Sequence, residues 1–268
     1  MFPILYENHF FLIPSWHVLF ITGTLSGYFY FSYLCKTFQE SLLTHAHSIF
    51  LISYTSGLAG ARLFSLCVEE DIIELKNFFH FDSLTFYGSV LGALVGLSVF
   101  SYFKKINFLT IFDLIIGPLF LGLGFGRIGC FLNGDDFGVP VSSSLEGSYP
   151  WWTYYFTKHG DLVPRYPVQI IESLYAFFLV LVLRFKYIRI YQLEPGLLGC
   201  LGAMFYCVFR FWIEYLRDDT RGHLILKSLS SAQSLSLVFI ILISFCFLSI
   251  KKGVLIENLY KNRRQGRN

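Results

Sequence analysis

The amino-acid sequence predicts an all-α polytopic membrane protein with about seven transmembrane helices and a small extracytoplasmic head region. The first reason is composition: 54% of the 268 residues are hydrophobic and 15% are charged, whereas soluble domains carry about 25% charged residues. The second reason is the spacing of the apolar stretches, and the third is the placement of charge between them. The net charge of +3 is too small to indicate a nucleic-acid partner.

Apolar stretches of transmembrane length recur along the whole chain. A bilayer core of about 30 Å requires about 20 helical residues. Stretches of this kind predict spans at residues 16–35, 47–67, 86–103, 108–131, 169–187, 196–216 and 232–250. Residues 1–268 are therefore predicted to form a single membrane domain. Glycines at small-residue spacing, such as Gly88 and Gly92, predict close helix packing within it.

The charges between the spans predict an orientation. If the N-terminus lies outside, the segments inside hold a large share of the basic residues: Lys36, Lys104, Lys105, Arg184, Lys186, Arg189 and a basic cytoplasmic tail over residues 251–268. The outside segments collect acids instead, Asp135 and Asp136 among them. Basic residues favour the cytoplasmic side, so we expect the N-terminus outside and the C-terminus in the cytoplasm.

The longest stretch without a predicted helix covers residues 133–167, and we expect it to form the extracytoplasmic loop or head. It contains four aromatic residues close together: Trp151, Trp152, Tyr154 and Tyr155. Two interpretations are open for them. They form an ordinary aromatic belt at head-group depth, or they contact a substrate.

Five charged residues lie within or at the edges of the predicted spans: Arg62, Arg127, Arg210, Glu172 and Glu214. A charge at the bilayer centre costs about 2.5–3.5 kcal/mol on insertion scales, so these groups are predicted to share a polar cavity and to pair with one another or with a ligand. Arg210 and Glu214 are four residues apart, which places them on one helix face. For Arg62 and Glu172, ion pairs that merely join helices are the alternative.

Arg127 has the surroundings of a ligand-binding residue. Gly126 and Gly129 flank it and leave space beside its guanidinium group. Guanidinium groups suit forked recognition of phosphate. Two arginines near the outward ends of spans therefore predict a site for an anionic phospholipid head group.

Six motifs follow in unbroken order between residues 57 and 237: GARL from Gly60, FYGS from Phe86, GRIGCFLNGD from Gly126, PRYPVQIIE from Pro164, FRFWIEYLR from Phe209 and SAQSLS from Ser231. They resemble the motifs GARL, FHGG, GRIGNFxNGE, PRHPxQLYE, FRFxxExxR and GQxLS of the prolipoprotein diacylglyceryl transferase family. Gly138 also follows the third motif at the family's spacing.

The resemblance implies an activity, partners and a location. Family members move the diacylglyceryl group of phosphatidylglycerol to the lipobox cysteine thiol of a preprolipoprotein, form a thioether and release glycerol phosphate. The implied partners are phosphatidylglycerol, the preprolipoprotein lipobox and the lipid bilayer, with no nucleic acid. The implied location is the bacterial cytoplasmic (inner) membrane, and no metal or soluble cofactor is implied.

The matching positions imply the roles of individual residues. The catalytic set is Arg127, Arg210, Tyr87, Glu172 and Glu214, and the substrate-binding set is Arg127, Asn133, Asp135, Gly138, Arg62 and His17. The arginines would neutralise the phosphate, and the glutamates would orient the arginines. Asn133 would position the head group, and Asp135 stands where the family has a longer acid.

Two positions depart from the family pattern and leave the general base open. Tyr87 replaces a histidine, and a tyrosine with a pKa near 10 is a poorer base at neutral pH. His17 is either a substitute base or an interfacial residue. Cys130 replaces an asparagine and is either a lipid acceptor or a small buried residue.

Two other functions stay open beside the transferase. One is a related transferase with a different acceptor, which the changes at Tyr87 and Cys130 would accompany. The other is a lipid-binding membrane protein or transporter, although the sequence shows no internal repeat of the kind that transporters often have.

Overall fold

The computed structural model describes residues 4–8, 11–68, 85–141, 163–190, 194–218 and 229–265. The aromatic residues Trp151, Trp152, Tyr154 and Tyr155 lie outside the described residues. The predicted head at 133–167 is described at its two ends alone, so it stays a prediction.

The chain begins with two short antiparallel strands, β1 (Ile4–Asn8) and β2 (Phe11–Pro14), which the sequence analysis did not predict. Helices follow in this order: α1 (Ser15–Phe38), the short α2 (Glu40–Leu43), α3 (Ala46–Val68), α4 (Phe86–Lys104), α5 (Phe108–Asn133), α6 (Val168–Ile190), α7 (Leu197–Ile213) and α8 (Ser231–Gln265). A 3-10 turn over Glu214–Leu216 extends α7. The predicted all-α fold class is confirmed.

Seven of these helices are long and apolar enough to cross a membrane: Ser15–Phe38, Ala46–Leu66, Phe86–Lys104, Phe108–Asn133, Val168–Lys186, Leu197–Leu216 and Ser231–Lys252. Each corresponds to one predicted span, with ends that differ by a few residues. Helix α8 continues beyond its apolar part to Gln265, into the predicted basic tail.

Glycines allow the helices to approach closely, as the sequence predicted. A Cβ atom built on Gly60 of α3 would lie 2.5 Å from the carbonyl oxygen of Gly88 on α4. Between α1 and α5, a Cβ atom on Gly27 would lie 3.2 Å from the carbonyl oxygen of Pro118. The backbones thus pack without intervening side chains, which is how helices associate in lipid.

Helix α5 is the centre of the fold, because it packs against α1, α4, α6 and α7. Its first turn is capped by Asn107, whose side chain accepts a hydrogen bond from the Leu109 N–H group at 2.9 Å. Its apolar side chains join a buried core that includes Ile111, Leu114 and Phe120. The two ends of α5 therefore have fixed positions relative to the neighbouring helices.

The start of α7 is attached to α5 through a buried acid. Asp113 of α5 accepts hydrogen bonds from the backbone N–H groups of Gly196 and Gly199, each at 2.6 Å. Gly196 has a φ of +93°, a conformation that favours glycine. Asp113 thus supplies from another helix the cap that α7 lacks in its own sequence.

Candidate active site

The last turns of α5 and α7 and the first turn of α6 bring charged side chains together. Glu172 on α6 lies between three arginines. Its carboxylate is 2.9 Å from Nε of Arg127, 3.2 Å from Nη1 of Arg210 and 3.2 Å from Nη1 of Arg217. We call these three arginines, with Glu172, Glu214 and Asp136, the arginine cluster.

Two further carboxylates complete the arginine cluster. Glu214 lies 2.8 Å from Nη2 of Arg210, as the spacing of four residues predicted, and accepts a hydrogen bond from the Ser230 hydroxyl at 2.7 Å. Asp136 joins two arginines: one oxygen is 2.5 Å from Nη1 of Arg127 and the other is 2.7 Å from Nη2 of Arg217.

The arginine cluster is buried, and its formal charges balance. The side chain of Arg210 is 2% exposed and that of Glu172 is 4% exposed. Charges this far from water interact strongly, and an isolated one would be costly. Three guanidinium groups facing three carboxylates therefore form a stable arrangement that keeps a dense set of N–H donors in place.

The end of α5 positions the residues after Arg127. Gly134 adopts a left-handed conformation with φ +80° and ends the helix, and its N–H group donates to the carbonyl of Cys130 at 2.9 Å. The Asn133 amide donates to the side chain of Asp135, and Gln169 of α6 donates to the Asp135 carbonyl at 2.6 Å. Asn133 and Asp135 thus lie at this end of α5, beside the start of α6.

Gly138 lies where three backbone segments meet. It pairs in antiparallel fashion with Arg217, and a Cβ atom built on it would lie 2.4 Å from the carbonyl oxygen of Tyr166. Arg165 donates to the Gly138 carbonyl at 3.1 Å and pairs with Asp218 at 2.5 Å. Glycine is needed here for close approach, which is a structural reason for its place in the motif.

Tyr87 on α4 is hydrogen-bonded to α8. Its buried hydroxyl donates to the carbonyl of Ala232 at 3.1 Å and is 2.6 Å from the hydroxyl of Ser236. The ring stacks on Phe239, with 5.8 Å between centroids. Tyr87 is also within electrostatic range of Arg210. The Tyr87 hydroxyl is thus hydrogen-bonded to α8, and the side chain lies near Arg210 of the arginine cluster.

The other predicted residues have different surroundings. Arg62 is buried on α3, next to Ala61, whose carbonyl accepts a hydrogen bond from Thr85 just before Tyr87. Cys130 has a free thiol within electrostatic range of Arg127. The His17 side chain is exposed on α1, with its ring against Trp16. Its role as a substitute base stays a prediction.

The sequence analysis missed three contributors to the site. Arg217 was quoted within a motif but was given no role, although it lies three residues after Glu214, a helical signal for a shared face. Asp136 was counted as a loop acid, and Tyr206, buried within electrostatic range of Arg127 and Arg210, was not considered. Asp136 had no local signal, because it reaches the cluster through tertiary structure, whereas Tyr206 lies four residues before Arg210 on α7, which is a helical signal for a shared face.

The functional groups available here are guanidinium, carboxylate, hydroxyl and amide groups. Within the part of the chain that the structure describes, no three His, Cys, Asp or Glu residues are grouped as metal ligands. The arrangement can bind an anion through its arginines and stabilise negative charge that develops on it.

Comparisons with known proteins point to one family. The family model for prolipoprotein diacylglyceryl transferase matches residues 3–249. The chain is 30% identical over 257 residues to a phosphatidylglycerol–prolipoprotein diacylglyceryl transferase of Rickettsia felis, covering 87% of this chain and 91% of that relative. A second such transferase, from Clostridium perfringens, is 30% identical over 226 residues, covering 81% of this chain and 78% of that relative. With the motifs gathered around one buried cluster and the match running through all seven apolar helices, this chain belongs to the prolipoprotein diacylglyceryl transferase family.

Proposed function

We propose that this chain transfers the diacylglyceryl group of phosphatidylglycerol to the lipobox cysteine of a preprolipoprotein in the bacterial inner membrane. One observation carries the proposal: three arginines converge on Glu172 at one end of the apolar helices, within a chain of this family. A membrane enzyme that cleaves a phospholipid at its phosphate needs a dense set of fixed cationic donors at that depth.

The reaction exchanges a carbon–oxygen bond for a carbon–sulfur bond. The thiolate of the lipobox cysteine attacks the carbon of the diacylglyceryl group that carries the phosphate. The C–S bond of the thioether forms as the C–O bond between this carbon and the phosphate breaks. The electron pair of that bond leaves with the phosphate of glycerol phosphate. The thiol proton is lost before the attack, because the thiolate is the nucleophile.

The arginine cluster stabilises the leaving group. Negative charge grows on the phosphate oxygen as the C–O bond breaks, and fixed donors in a buried site stabilise that charge without reorganisation. We propose that Arg127 contacts the phosphate and that Arg210 adds its positive charge through the shared partner Glu172. Glu172 and Glu214 hold the guanidinium groups in position.

The remaining predicted residues have supporting roles in this proposal. Asn133 and Asp135 lie where the head group would emerge from the cluster, and we propose that they position its glycerol hydroxyls. Tyr87 holds α4 against α8 beside Arg210.

Transfer of the lipid group to a peptide tests the function directly. Purified protein is incubated with phosphatidylglycerol and a lipobox peptide, and lipidated peptide is measured by mass spectrometry. We expect lipidation by the unaltered protein and a loss of about 10²–10³-fold in rate for Arg127→Ala, the typical cost of removing one preorganised donor. Arg184→Ala is the matched control, because Arg184 bonds to Tyr33, outside the arginine cluster.

Each outcome separates the hypotheses. Absence of lipidated peptide with the unaltered protein contradicts the proposed transfer. Release of glycerol phosphate without lipidated peptide favours the transferase with a different acceptor. Full activity of Arg127→Ala would show that the arginine cluster is not the active site.

We also propose that the N-terminus lies outside and the C-terminus in the cytoplasm, which places the arginine cluster in the outer leaflet. The support is the gathering of Lys36, Lys104, Lys105 and Arg184 at the opposite ends of the spans. Alkaline phosphatase fused after residue 252 is expected to be inactive, because that enzyme folds outside the cytoplasm. Active phosphatase at this position would reverse the orientation.

A further inference from the structure

Asp136 differs from the other two carboxylates of the arginine cluster. Glu172 and Glu214 lie at helical positions, and their side chains are 4% and 6% exposed. Asp136 lies on the segment after α5, and its side chain is 27% exposed. It is therefore the carboxylate of the cluster with the easiest path outwards.

The contacts of Asp136 are those that a phosphate would make. Its two oxygens bind two different guanidinium groups, Nη1 of Arg127 at 2.5 Å and Nη2 of Arg217 at 2.7 Å. Two unesterified oxygens of a phosphodiester are spaced similarly to the two oxygens of a carboxylate, and arginine N–H groups bind both kinds of oxygen.

The charge of the arginine cluster also favours replacement of the Asp136 carboxylate by a phosphate. With Asp136 in place, the three arginines of the ion pairs face three carboxylates, which leaves no net charge to attract an anion. Without it the cluster carries one positive charge, which equals the single negative charge of a phosphodiester. In a buried site, such exact matching of charge matters, because an unbalanced charge is costly there.

The arginines are held in position independently of Asp136. Arg127 keeps the contact of its Nε with Glu172, and Arg217 keeps the contact of its Nη1 with the same carboxylate. Departure of Asp136 would release Nη1 of Arg127 and Nη2 of Arg217, both already directed at one point. The backbone of Asp136 has a φ of +57°, which is uncommon for residues other than glycine, so leaving this conformation costs little.

We propose that Asp136 occupies the phosphate position between Arg127 and Arg217 in the free protein, and that the donor phosphate displaces it. Asp136 is then a residue that sets the affinity for the anionic donor. It also shields two buried guanidinium groups whenever the site holds no lipid. The proposal rests on the proposed function, since it takes the phosphatidylglycerol phosphate as the ligand.

The Asp136→Asn variant tests this displacement. Asparagine has nearly the same size and tolerates a left-handed backbone. The Asp136 side chain is 27% exposed, so water lowers the cost of the lost charge below that at the buried Glu172, and the fold is retained. A neutral amide competes less well with a phosphate. Suppose that Asp136 is displaced in about one tenth of the unaltered protein, so that only this fraction can bind the phosphate. If the variant is always able to bind, its KM for phosphatidylglycerol is about tenfold lower. We expect a much smaller change in kcat and stronger inhibition by glycerol phosphate.

The matched control is Asp218→Asn, which removes an acid paired with Arg165, outside the ion pairs of the arginine cluster. We expect its KM for phosphatidylglycerol to stay within about twofold of the original, because the Asp218 side chain is 42% exposed and an asparagine there can still accept a hydrogen bond from Arg165. A rise in KM together with a fall in kcat for Asp136→Asn would overturn the proposal, since it would show that Asp136 merely orients the arginines. Asp136→Gly, which also suits a positive φ, replaces the variant if Asp136→Asn does not fold.

A binding measurement separates this proposal from the transfer reaction. The rise in Tm on adding phosphatidylglycerol to the protein in detergent is compared with the rise on adding diacylglycerol, which lacks the phosphate. A larger rise for Asp136→Asn than for the unaltered protein, with phosphatidylglycerol alone, supports the displacement even if neither protein lipidates a peptide. Equal rises contradict it, whatever the transfer assay shows.

Discussion

The two ends of helix α5 both bury carboxylates, but in opposite ways. Near the start of the helix, Asp113 accepts hydrogen bonds from the backbone N–H groups of Gly196 and Gly199. About 21 Å along the helix axis, at a rise of 1.5 Å per residue, Arg127 reaches Glu172 of α6, which two more arginines also contact. One acid is satisfied by backbone dipoles, and the other by full positive charges.

This difference separates a structural role at one end of α5 from the proposed functional role at the other. The donors around Asp113 belong to the first turn of α7 and are used up in joining two helices. The donors around Glu172 are long cationic side chains with several N–H groups each, and one pair of them also contacts the partly buried Asp136. A surplus of fixed cationic donors is what an anionic ligand requires, whereas a closed set of backbone bonds offers it nothing.

The largest effect is expected from neutralising the acid at the arginine end. Glu172→Gln leaves three guanidinium groups facing two carboxylates, and breaking a buried ion pair in this way costs about 3–5 kcal/mol of stability. Asp113→Asn removes a charge that faces backbone groups, with an expected cost of about 1–3 kcal/mol for the donor left unpaired. Denaturant unfolding in detergent compares the two variants.

The lipidation activity of the same two variants also distinguishes the two ends of α5. Lipidation of the peptide is expected to be lost in Glu172→Gln, whereas KM for phosphatidylglycerol is expected to be unchanged in folded Asp113→Asn. Loss of lipidation in folded Asp113→Asn as complete as in Glu172→Gln would show that the two ends of α5 do not have separate roles.

A smaller effect is expected from adding one methyl group near each end of α5, at Gly199 of α7 beside its start and at Gly126 near its last turns. A Cβ atom on Gly199 would lie 2.4 Å from the Phe112 ring, so Gly199→Ala is expected to destabilise the protein by about 1–3 kcal/mol. A Cβ atom on Gly126 would meet no atom of the described residues within 4 Å. Gly126→Ala is therefore expected to change stability by less than about 1 kcal/mol, since alanine is also the better helix former.

The open space beside Gly126 allows the variants Gly199→Ala and Gly126→Ala to test where the lipid binds. If the lipid occupies that space next to Arg127, Gly126→Ala raises KM for phosphatidylglycerol while the protein remains as stable as before. Measurement of both quantities on the two variants distinguishes a site that accepts a ligand from a merely loose contact. An unchanged KM in Gly126→Ala would place the lipid elsewhere around the cluster.

Much of the architecture was predictable from sequence because it depends on local properties. The seven spans follow from the length and hydropathy of each stretch, and the pairing of Arg210 with Glu214 follows from helical spacing. The cost of burying charge predicted that Arg62 and four other charged residues would share one cavity, and ion pairs join these four: Arg127, Arg210, Glu172 and Glu214. The two N-terminal strands had no comparable signal.

By itself the sequence determined the number of apolar spans, the close contacts at glycines and the need for the buried charges to find partners, because hydropathy, residue size and charge act within a few residues. Tertiary structure alone decided that Asp136 joins that set, that the Tyr87 hydroxyl bonds to α8, and that His17 is exposed on α1. These outcomes depend on how each helix is rotated about its axis and on the path of the segments between helices. Helical periodicity relates residues of one helix to each other, but it carries no information about rotation against a neighbour.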